Sequence, residues 1–182
     1  MADPPVTHRR FTELESGFAA LPEAPRHTGR VALIVRRPEP NRRETPQRVR
    51  LSTETGVEGD GWSHRPPRDV EAQITLLRRD VAELIAPEQP LPLFGDNLLV
   101  DFDLSTGHLP AGSRLGVGGA LVEVTPLPHN GCRKFADRFG RDALRFVQAK
   151  PTCSENLRGI HVRVLEDGDV EVGDPIRVVP VS

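Results

Sequence analysis

The stretch that decides the fold is Leu121-Val-Glu-Val-Thr-Pro-Leu-Pro-His-Asn-Gly-Cys-Arg-Lys-Phe-Ala-Asp-Arg-Phe-Gly140. Its first residues alternate apolar with polar side chains, which predicts a half-buried strand around Val122. Two prolines then end the strand in an extended loop. Beyond the loop, Phe135 and Phe139 are four residues apart, as on one face of a helix. The sequence therefore predicts a strand, a loop and a helix, with Cys132 where the helix begins.

Cys132 has the surroundings of a reactive cysteine. The free amide groups of a helix start and the charges of Arg133 and Lys134 favour the thiolate form. His129, three residues upstream, is a candidate acid, base or hydrogen-bond partner for it. Local features leave a second interpretation equally open, because a lone cysteine is most often a small buried hydrophobe.

Length and composition bound what kind of protein this is. A chain of 182 residues fits one domain with a small extension, which we place at residues 1–29 (helical extension) and 30–182 (main domain). The sequence pI near 6.3 argues against a nucleic-acid binder. Two cysteines are too few for a disulfide framework. The first residues do not resemble a signal peptide and no long apolar run occurs, so we expect a soluble cytoplasmic protein without membrane contact.

The remaining sequence reads as short strands separated by turns, with a few short helices. A capping-box pattern predicts a helix over about Thr12 to Ala20. The run Arg30–Arg36 is expected to pair with Arg48–Leu51, and Asp167-Gly168 is expected to turn one strand back on the next. Seven or eight strands with three inserted helices predict a mainly β fold, as a barrel or a sandwich.

Two further features point to a ligand. The loop Gly56-Val-Glu-Gly-Asp-Gly-Trp62 is rich in glycine, which lets backbone approach a ligand, although a tight turn is the commoner explanation. Between His129 and Lys150 six cations face two acids, and Arg138, Arg141 and Arg145 could share one helical face. That face is either a solvated helix surface or a place where an anion binds.

Several ordered pieces of the chain together resemble the MOSC domain, named for the C-terminal domain of molybdenum-cofactor sulfurases, and in particular its stand-alone bacterial members. The resemblance runs from about Val31 to Val179. It is carried by these pieces: Gly56-Val-Glu-Gly-Asp60, Gln73-Ile-Thr-Leu-Leu77, Gly95-Asp-Asn-Leu98, Leu109-Pro-Ala-Gly-Ser-Arg-Leu115, Pro128-His-Asn-Gly-Cys-Arg-Lys-Phe135, and Gly159-Ile-His-Val-Arg-Val164 leading to Val172-Gly-Asp174.

The resemblance implies a MOSC-type β-barrel and a molybdenum cofactor (molybdopterin). It makes Cys132 the molybdenum ligand or sulfur carrier, with His129 and Asp60 as further catalytic candidates. It places the cofactor among the loops near that cysteine, at these positions: Gly59, Asp60, Gly95, Asp96, Asn97, Asn130, Gly131, Arg133, Lys134 and Gly159. Gly131 stands where members with shown reductase activity often carry proline, and Asp96 where many carry glutamate.

The leading hypothesis is a molybdenum-dependent oxidoreductase that removes the hydroxyl group from N-hydroxylated small molecules. Asp60, Asp96 or His129 would donate the proton, and a separate reductase would supply electrons. The alternative is a non-catalytic carrier that accepts sulfur on Cys132 as a persulfide from a cysteine desulfurase. A zinc site of His129, Cys132, Cys153 and His161 is a third option whose spacing fits no common pattern.

Overall fold

The structure is a computed structural model that describes residues 7–180. Residues 1–6, on which the expectation about a signal peptide rests, lie outside the described part. The strands are β1 (Gly29–Ile34), β2 (Arg48–Ser52), β3 (Gly56–Val57), β4 (Ile74–Arg78), β5 (Leu98–Asp101), β6 (Arg114–Val117), β7 (Ala120–Val124), β8 (Ile160–Glu166), β9 (Gly168–Glu171) and β10 (Pro175–Val179). The α-helices are α1 (Phe11–Ala19), α2 (Arg79–Ile85), α3 (Arg133–Phe139) and α4 (Arg141–Val147).

Seven of these strands close into a barrel. Their order is β1-β10-β6-β7-β8-β4-β5, and β5 returns to β1. Every neighbouring pair is antiparallel except β4 and β5, which are parallel and are joined by a crossover that contains α2. The mainly β barrel with inserted short helices is therefore confirmed.

Two strand pairings differ from the sequence prediction. The Arg30–Arg36 run does not pair with Arg48–Leu51: β1 lies between β10 and β5, and only one isolated bridge joins Arg36 to Glu44. Likewise β9 does not return along β8 but joins β2 and β3 in a separate three-stranded sheet. In both cases barrel closure occupies the two edges of the first strand, so the next strand in sequence must find another partner.

Strand β4 separates two apolar clusters. All five of its residues are buried, as expected for a strand covered on both faces. Leu76 points into the barrel interior, where it pairs across to Leu98, while Leu77 points out into a second cluster beneath the helices. Because side chains alternate along a strand, this single strand contributes to both cores.

The helices form a layer over the outer side of the barrel wall. Phe94, Phe135 and Phe139 pack together in it, with the Phe94 and Phe139 rings stacked at a centroid distance of 4.0 Å. Gly140, at φ +94° and ψ 157°, separates α3 from α4. In the described residues no helix has the length and apolar character to cross a membrane.

Candidate functional site

Cys132 lines a cavity of about 270 Å³ between the rim of the barrel and the helical layer. Thr75 of β4 and the turn Gly95-Asp96 before β5 form the barrel side of the cavity, and Phe135 and Phe139 of α3 form the helical side. The volume lies just under the range of about 300 to 1,000 Å³ that is typical of small-molecule sites. The cavity can therefore hold part of a cofactor-sized ligand and stays open to solvent for the rest.

The Cys132 thiol is exposed, so the interpretation as a buried hydrophobe is wrong. Cys132 is the residue before the first turn of α3, and its carbonyl oxygen accepts hydrogen bonds from the amides of Phe135 and Ala136. The loop before it is fixed to α4, because the Gln148 side-chain amide donates to the Gly131 carbonyl at 3.0 Å. The backbone that carries the thiol is thus fixed by hydrogen bonds on both sides.

A buried network positions Arg37 at the cavity. Arg37 donates to the Asp60 carboxylate from its backbone amide at 2.7 Å and from its guanidinium at 3.0 and 3.2 Å. The Asn97 side chain joins both residues: its oxygen accepts from Arg37 at 3.2 Å and its nitrogen donates to Asp60 at 3.3 Å. Thr75 completes the network through its hydroxyl and amide. Asp60 and Asn97 are each 1% exposed and therefore lie behind the cavity wall.

The protonation state of Asp60 suits this positioning role. Burial alone would raise the pKa of its carboxyl, but the hydrogen bonds and charge of Arg37 and the amide of Trp62 bring it below the usual range. Asp60 is consequently ionised at neutral pH. An ionised carboxylate can hold a guanidinium but has no proton to donate.

A second buried group leaves polar atoms without partners. One Asp96 oxygen accepts from Arg158 at 2.7 Å, whereas the other, Oδ1, lies 3.5 Å from the Nδ1 atom of His129 without forming a hydrogen bond. Within residues 7–180, Asp96 Oδ1, His129 Nδ1 and Arg158 Nε are all buried and have no hydrogen-bond partner. Buried polar atoms cost about 1 to 3 kcal/mol each when unsatisfied, so three of them around one cavity indicate that a ligand or water completes the group.

His129 is held as a neutral ring. Burial lowers its pKa to about 3, and the opposing attraction of Asp96 is too weak to restore it. The ring packs against His161 at a centroid distance of 4.5 Å, and burial lowers the pKa of His161 as well. His161 Nδ1 lies 3.0 Å from the Leu127 carbonyl, which fixes its proton on that nitrogen. Neutral His129 is a hydrogen-bonding group at neutral pH and a poor base.

Cations outnumber acids around the cavity. Its lining cations are Arg37, Arg43, Arg65, Lys134, Arg138 and Arg158, against the carboxylates Glu39 and Asp96. Burial, and then the charges of Arg138 and Arg37, lower the pKa of Arg43, whose Nε atom is buried without a partner. An anion in the cavity would relieve this repulsion, so the electrostatics favour a negatively charged ligand.

The structure brings together some of the candidate residues and not others. The candidates that line the cavity are His129, Cys132, Gly95, Asp96 and Lys134. Asp60 and Asn97 act from behind the wall, while Gly59 and Asn130 are exposed away from it. Arg133 lines a neighbouring groove.

The two remaining glycines serve the backbone around the site. Gly131 lies against Leu144 of α4, where a β-carbon would collide. Gly159 has φ +101°, and a β-carbon there would strike the Leu76 carbonyl and lie 3.2 Å from His129 Nδ1. Only glycine allows this close approach of backbone to the His129 ring.

Sequence reasoning missed the arginines that supply most of the cavity's charge. Arg37 and Arg43 belong to the Pro- and Arg-rich segment between β1 and β2, whose composition is typical of a solvated surface loop, and Arg65 and Arg158 belong to no motif. A usable signal was present: Arg37 follows directly on a buried strand, and Arg158 directly precedes a glycine of the family pattern.

The proposed zinc ligands do not form a metal site. Within residues 7–180, no group of three or more histidine, cysteine, aspartate or glutamate side chains is placed to hold a metal ion. His129 and His161 are in contact, but Cys153 lies in a separate short helical turn, Lys150–Glu155.

Comparison with known proteins is consistent with this fold. The family model described as the MOSC domain matches residues 63–177. Two solved structures superpose over most of the chain. The YuaD protein from Bacillus subtilis matches with a TM-score of 0.64 and 17% identity, over 88% of this chain and 100% of its own. YiiM from Escherichia coli matches with a TM-score of 0.58 and 21% identity, over 84% of this chain and 71% of its own. YiiM from Geobacillus stearothermophilus matches with a TM-score of 0.54 and 19% identity, over 84% of this chain and 75% of its own. No curated protein sequence gives a significant match.

Proposed function

The chain belongs to the MOSC domain family, and we propose that it binds the molybdenum cofactor in the Cys132 cavity, with the Cys132 thiolate as a ligand of molybdenum. The observation that carries this proposal is the combination of an exposed thiol with a cavity rimmed by six cations and containing unpartnered buried polar atoms. A thiolate is a soft ligand that suits molybdenum, and it must be deprotonated to bind.

The residues present fit the cofactor's chemistry. Its phosphate is an anion, and Arg43, Arg138 and Lys134 lack any carboxylate partner among the described residues, so they are free to hold it. Its pterin ring carries both donors and acceptors, which suit Asp96 Oδ1 and His129 Nδ1. Arg37 is pre-positioned by Asp60 and Asn97 before any ligand arrives.

We assign the chain to the reductive dehydroxylation of N-hydroxylated small molecules. The reaction R–NHOH + 2 e⁻ + 2 H⁺ → R–NH₂ + H₂O needs two electrons, which a separate reduced flavin or iron–sulfur protein would supply. When bound, the cofactor supplies the two-electron chemistry at the N–O bond. The chain's own residues bind the anionic cofactor, orient it and present polar atoms to the substrate.

Of the three candidate proton donors, two are disfavoured by their protonation states. Asp60 is ionised and engaged with Arg37, and His129 is neutral with its pKa near 3. Asp96 Oδ1 lines the cavity and has no hydrogen-bond partner among the described residues, so it is the acceptor that would hold a water molecule or a substrate N–H or O–H group. His129, 3.5 Å away, would orient a water or substrate group at that oxygen.

The exposure of Cys132 also supports a second candidate function, that of a sulfur carrier. The Cys132 thiolate would attack the terminal sulfur of a desulfurase persulfide, forming Cys132–S–SH and releasing the desulfurase thiolate. This transfer needs no molybdenum and only an accessible thiol.

A turnover assay tests the reductase proposal. The protein would be expressed in a host that makes the molybdenum cofactor and assayed with reduced methyl viologen and benzamidoxime. We expect turnover in wild type, its loss in Cys132→Ala, and its retention in Cys153→Ala, since Cys153 is exposed but does not line the cavity. Equal turnover in wild type and Cys132→Ala, or none from molybdenum-loaded wild type, would overturn the assignment.

A further inference from the structure

A broad groove lies beside the Cys132 cavity, on the helical layer. It measures about 1190 Å³, above the usual size of small-molecule pockets, and is bounded by α1, α3, α4 and the turn after α4. Four cations line it, Arg133, Arg141, Arg145 and Lys150, against the two carboxylates Glu15 and Asp137. We call this surface the α3–α4 groove.

The cations of this region differ from most others in the molecule. Arginines elsewhere commonly pair with carboxylates, as Arg48 does with Asp169 and Arg79 with Asp101. Within residues 7–180, none of the six cations between Arg133 and Lys150 has a carboxylate within 4.0 Å. Asp142, the nearest acid in α4, is engaged with the Phe11 amide at 3.1 Å. The result is a concentrated positive surface on a chain whose net charge is −2.

The groove and the thiol are joined by a hydrogen bond and by the backbone. Gln148 lines the groove and donates to the carbonyl of Gly131, the residue before Cys132. Arg133, the residue after Cys132, lines the groove itself. A protein seated in the groove would therefore lie next to the exposed thiol and the cavity entrance.

We propose that the α3–α4 groove is the docking surface for an acidic electron-carrier protein, whose carboxylates meet Arg133, Arg141, Arg145 and Lys150 and whose redox centre then faces the Cys132 cavity. The need for an electron carrier rests on the proposed function, whereas the surface itself rests on the unpaired cations. Charge complementarity of this kind speeds encounter and fixes orientation, and salt weakens it. Two observations disfavour nucleic acid as the occupant: the sequence pI is near 6.3, and among the described residues that line the groove the one aromatic ring is Phe11, which lies beneath Arg145.

The chain offers a sharp test, because it has only two lysines: Lys150 lines the groove, and Lys134 lines the neighbouring cavity. A carbodiimide joins an amine directly to a carboxylate in contact with it. Flavodoxin, a small acidic flavoprotein, would be the probe, and adducts would be mapped by mass spectrometry. We expect a one-to-one adduct through Lys150 at about 0.02 M salt, reduced about tenfold at about 0.5 M salt.

Charge reversal supplies the matched control. Arg141→Glu should lower the adduct yield about fivefold or more, whereas Arg177→Glu, an equal charge change on an exposed barrel strand, should leave it as in wild type. Adducts only at Lys134, at the N-terminal amine or at this chain's own carboxylates would overturn the proposal. So would the absence of any adduct, or a yield insensitive to salt and to Arg141→Glu. The measurement needs no molybdenum and can use Cys132→Ala protein, so its failure is separate from a failure to bind the cofactor.

Discussion

Leu76 and Thr75 are neighbours on β4, and they face two regions that are built in different ways. Leu76 lies in the barrel interior, which is filled with apolar side chains. Thr75 faces the Cys132 cavity, which is lined with arginines and backed by the buried Asp60 and Asn97, themselves held by long-range hydrogen bonds. The interior is stabilised by its own packing. The cavity instead contains crowded cations and polar atoms without partners among the described residues, which cost stability and which we attribute to a site that a ligand completes.

The barrel interior should show the largest effect on stability. Leu76→Ala removes a fully buried side chain from a packed core, and we expect the free energy of unfolding to fall by about 3 kcal/mol. Urea unfolding measures this fall in free energy. Leu93→Ala, at a leucine that is 36% exposed, should change it by less than about 0.5 kcal/mol. Equal losses in the two variants would contradict the description of the interior.

The hydrogen-bond network behind the cavity should show the second largest effect on stability. Asp60→Asn removes the charge that holds Arg37 while keeping the shape of the side chain, and we expect a loss of about 2 kcal/mol. The control is Asp137→Asn, at an exposed carboxylate without an ion pair in the described chain, which should change stability by less than about 0.5 kcal/mol. If Asp60→Asn is as mild as its control, the network does not hold the cavity wall.

Acid should separate the two regions, because titrating groups lie in and around the cavity while the barrel interior is filled with apolar side chains. The pKa of His129 is lowered to about 3 in the folded protein, so the unfolded chain binds its proton first, from about pH 6.5 downward. Stability should therefore fall by about 1.4 kcal/mol between about pH 7.5 and 5.5 from this residue alone. The lowered pKa of His161 acts in the same direction, and that of Asp60 adds a further loss only at more acidic pH.

Unfolding measured across this pH range checks the histidine effect. His129→Asn should remove its share of the slope, whereas His27→Asn, at an exposed position, should leave the slope as in wild type. An unchanged slope in His129→Asn would show that the ring is not held neutral by burial.

The smallest effect on stability should come from Arg43. Arg43→Gln relieves repulsion with Arg138 and Arg37, so stability should rise by up to about 0.5 kcal/mol. Binding of inorganic phosphate, measured by calorimetry, should nevertheless weaken about fivefold. Arg177→Gln should change neither quantity. A drop in stability without a change in phosphate binding would mean that Arg43 has a structural role only.

Secondary-structure elements with a clear local sequence pattern could be predicted from the sequence. Alternation and turn residues placed the strand around Val122 and the loop and helix that follow it, and the fold class followed from such short strands and turns along the chain. Strand pairing could not be predicted in the same way, because which edge of β1 or β8 stays free depends on how the barrel closes. The arginines of the cavity were missed for a related reason: Arg37 and Arg158 act through Asp60 and Asp96, which are 23 and 62 positions away in sequence.

The most direct test of the account is the molybdenum and pterin content of protein purified from a host with an intact cofactor pathway. Wild type, Cys132→Ala and Cys153→Ala would be compared. We predict nearly one molybdenum and one pterin per chain in wild type and Cys153→Ala, with the molybdenum lost in Cys132→Ala. Molybdenum retained in Cys132→Ala would contradict the role of the thiolate. Wild type without molybdenum but with cyanide-releasable sulfur on Cys132 would contradict the cofactor proposal and favour the sulfur carrier.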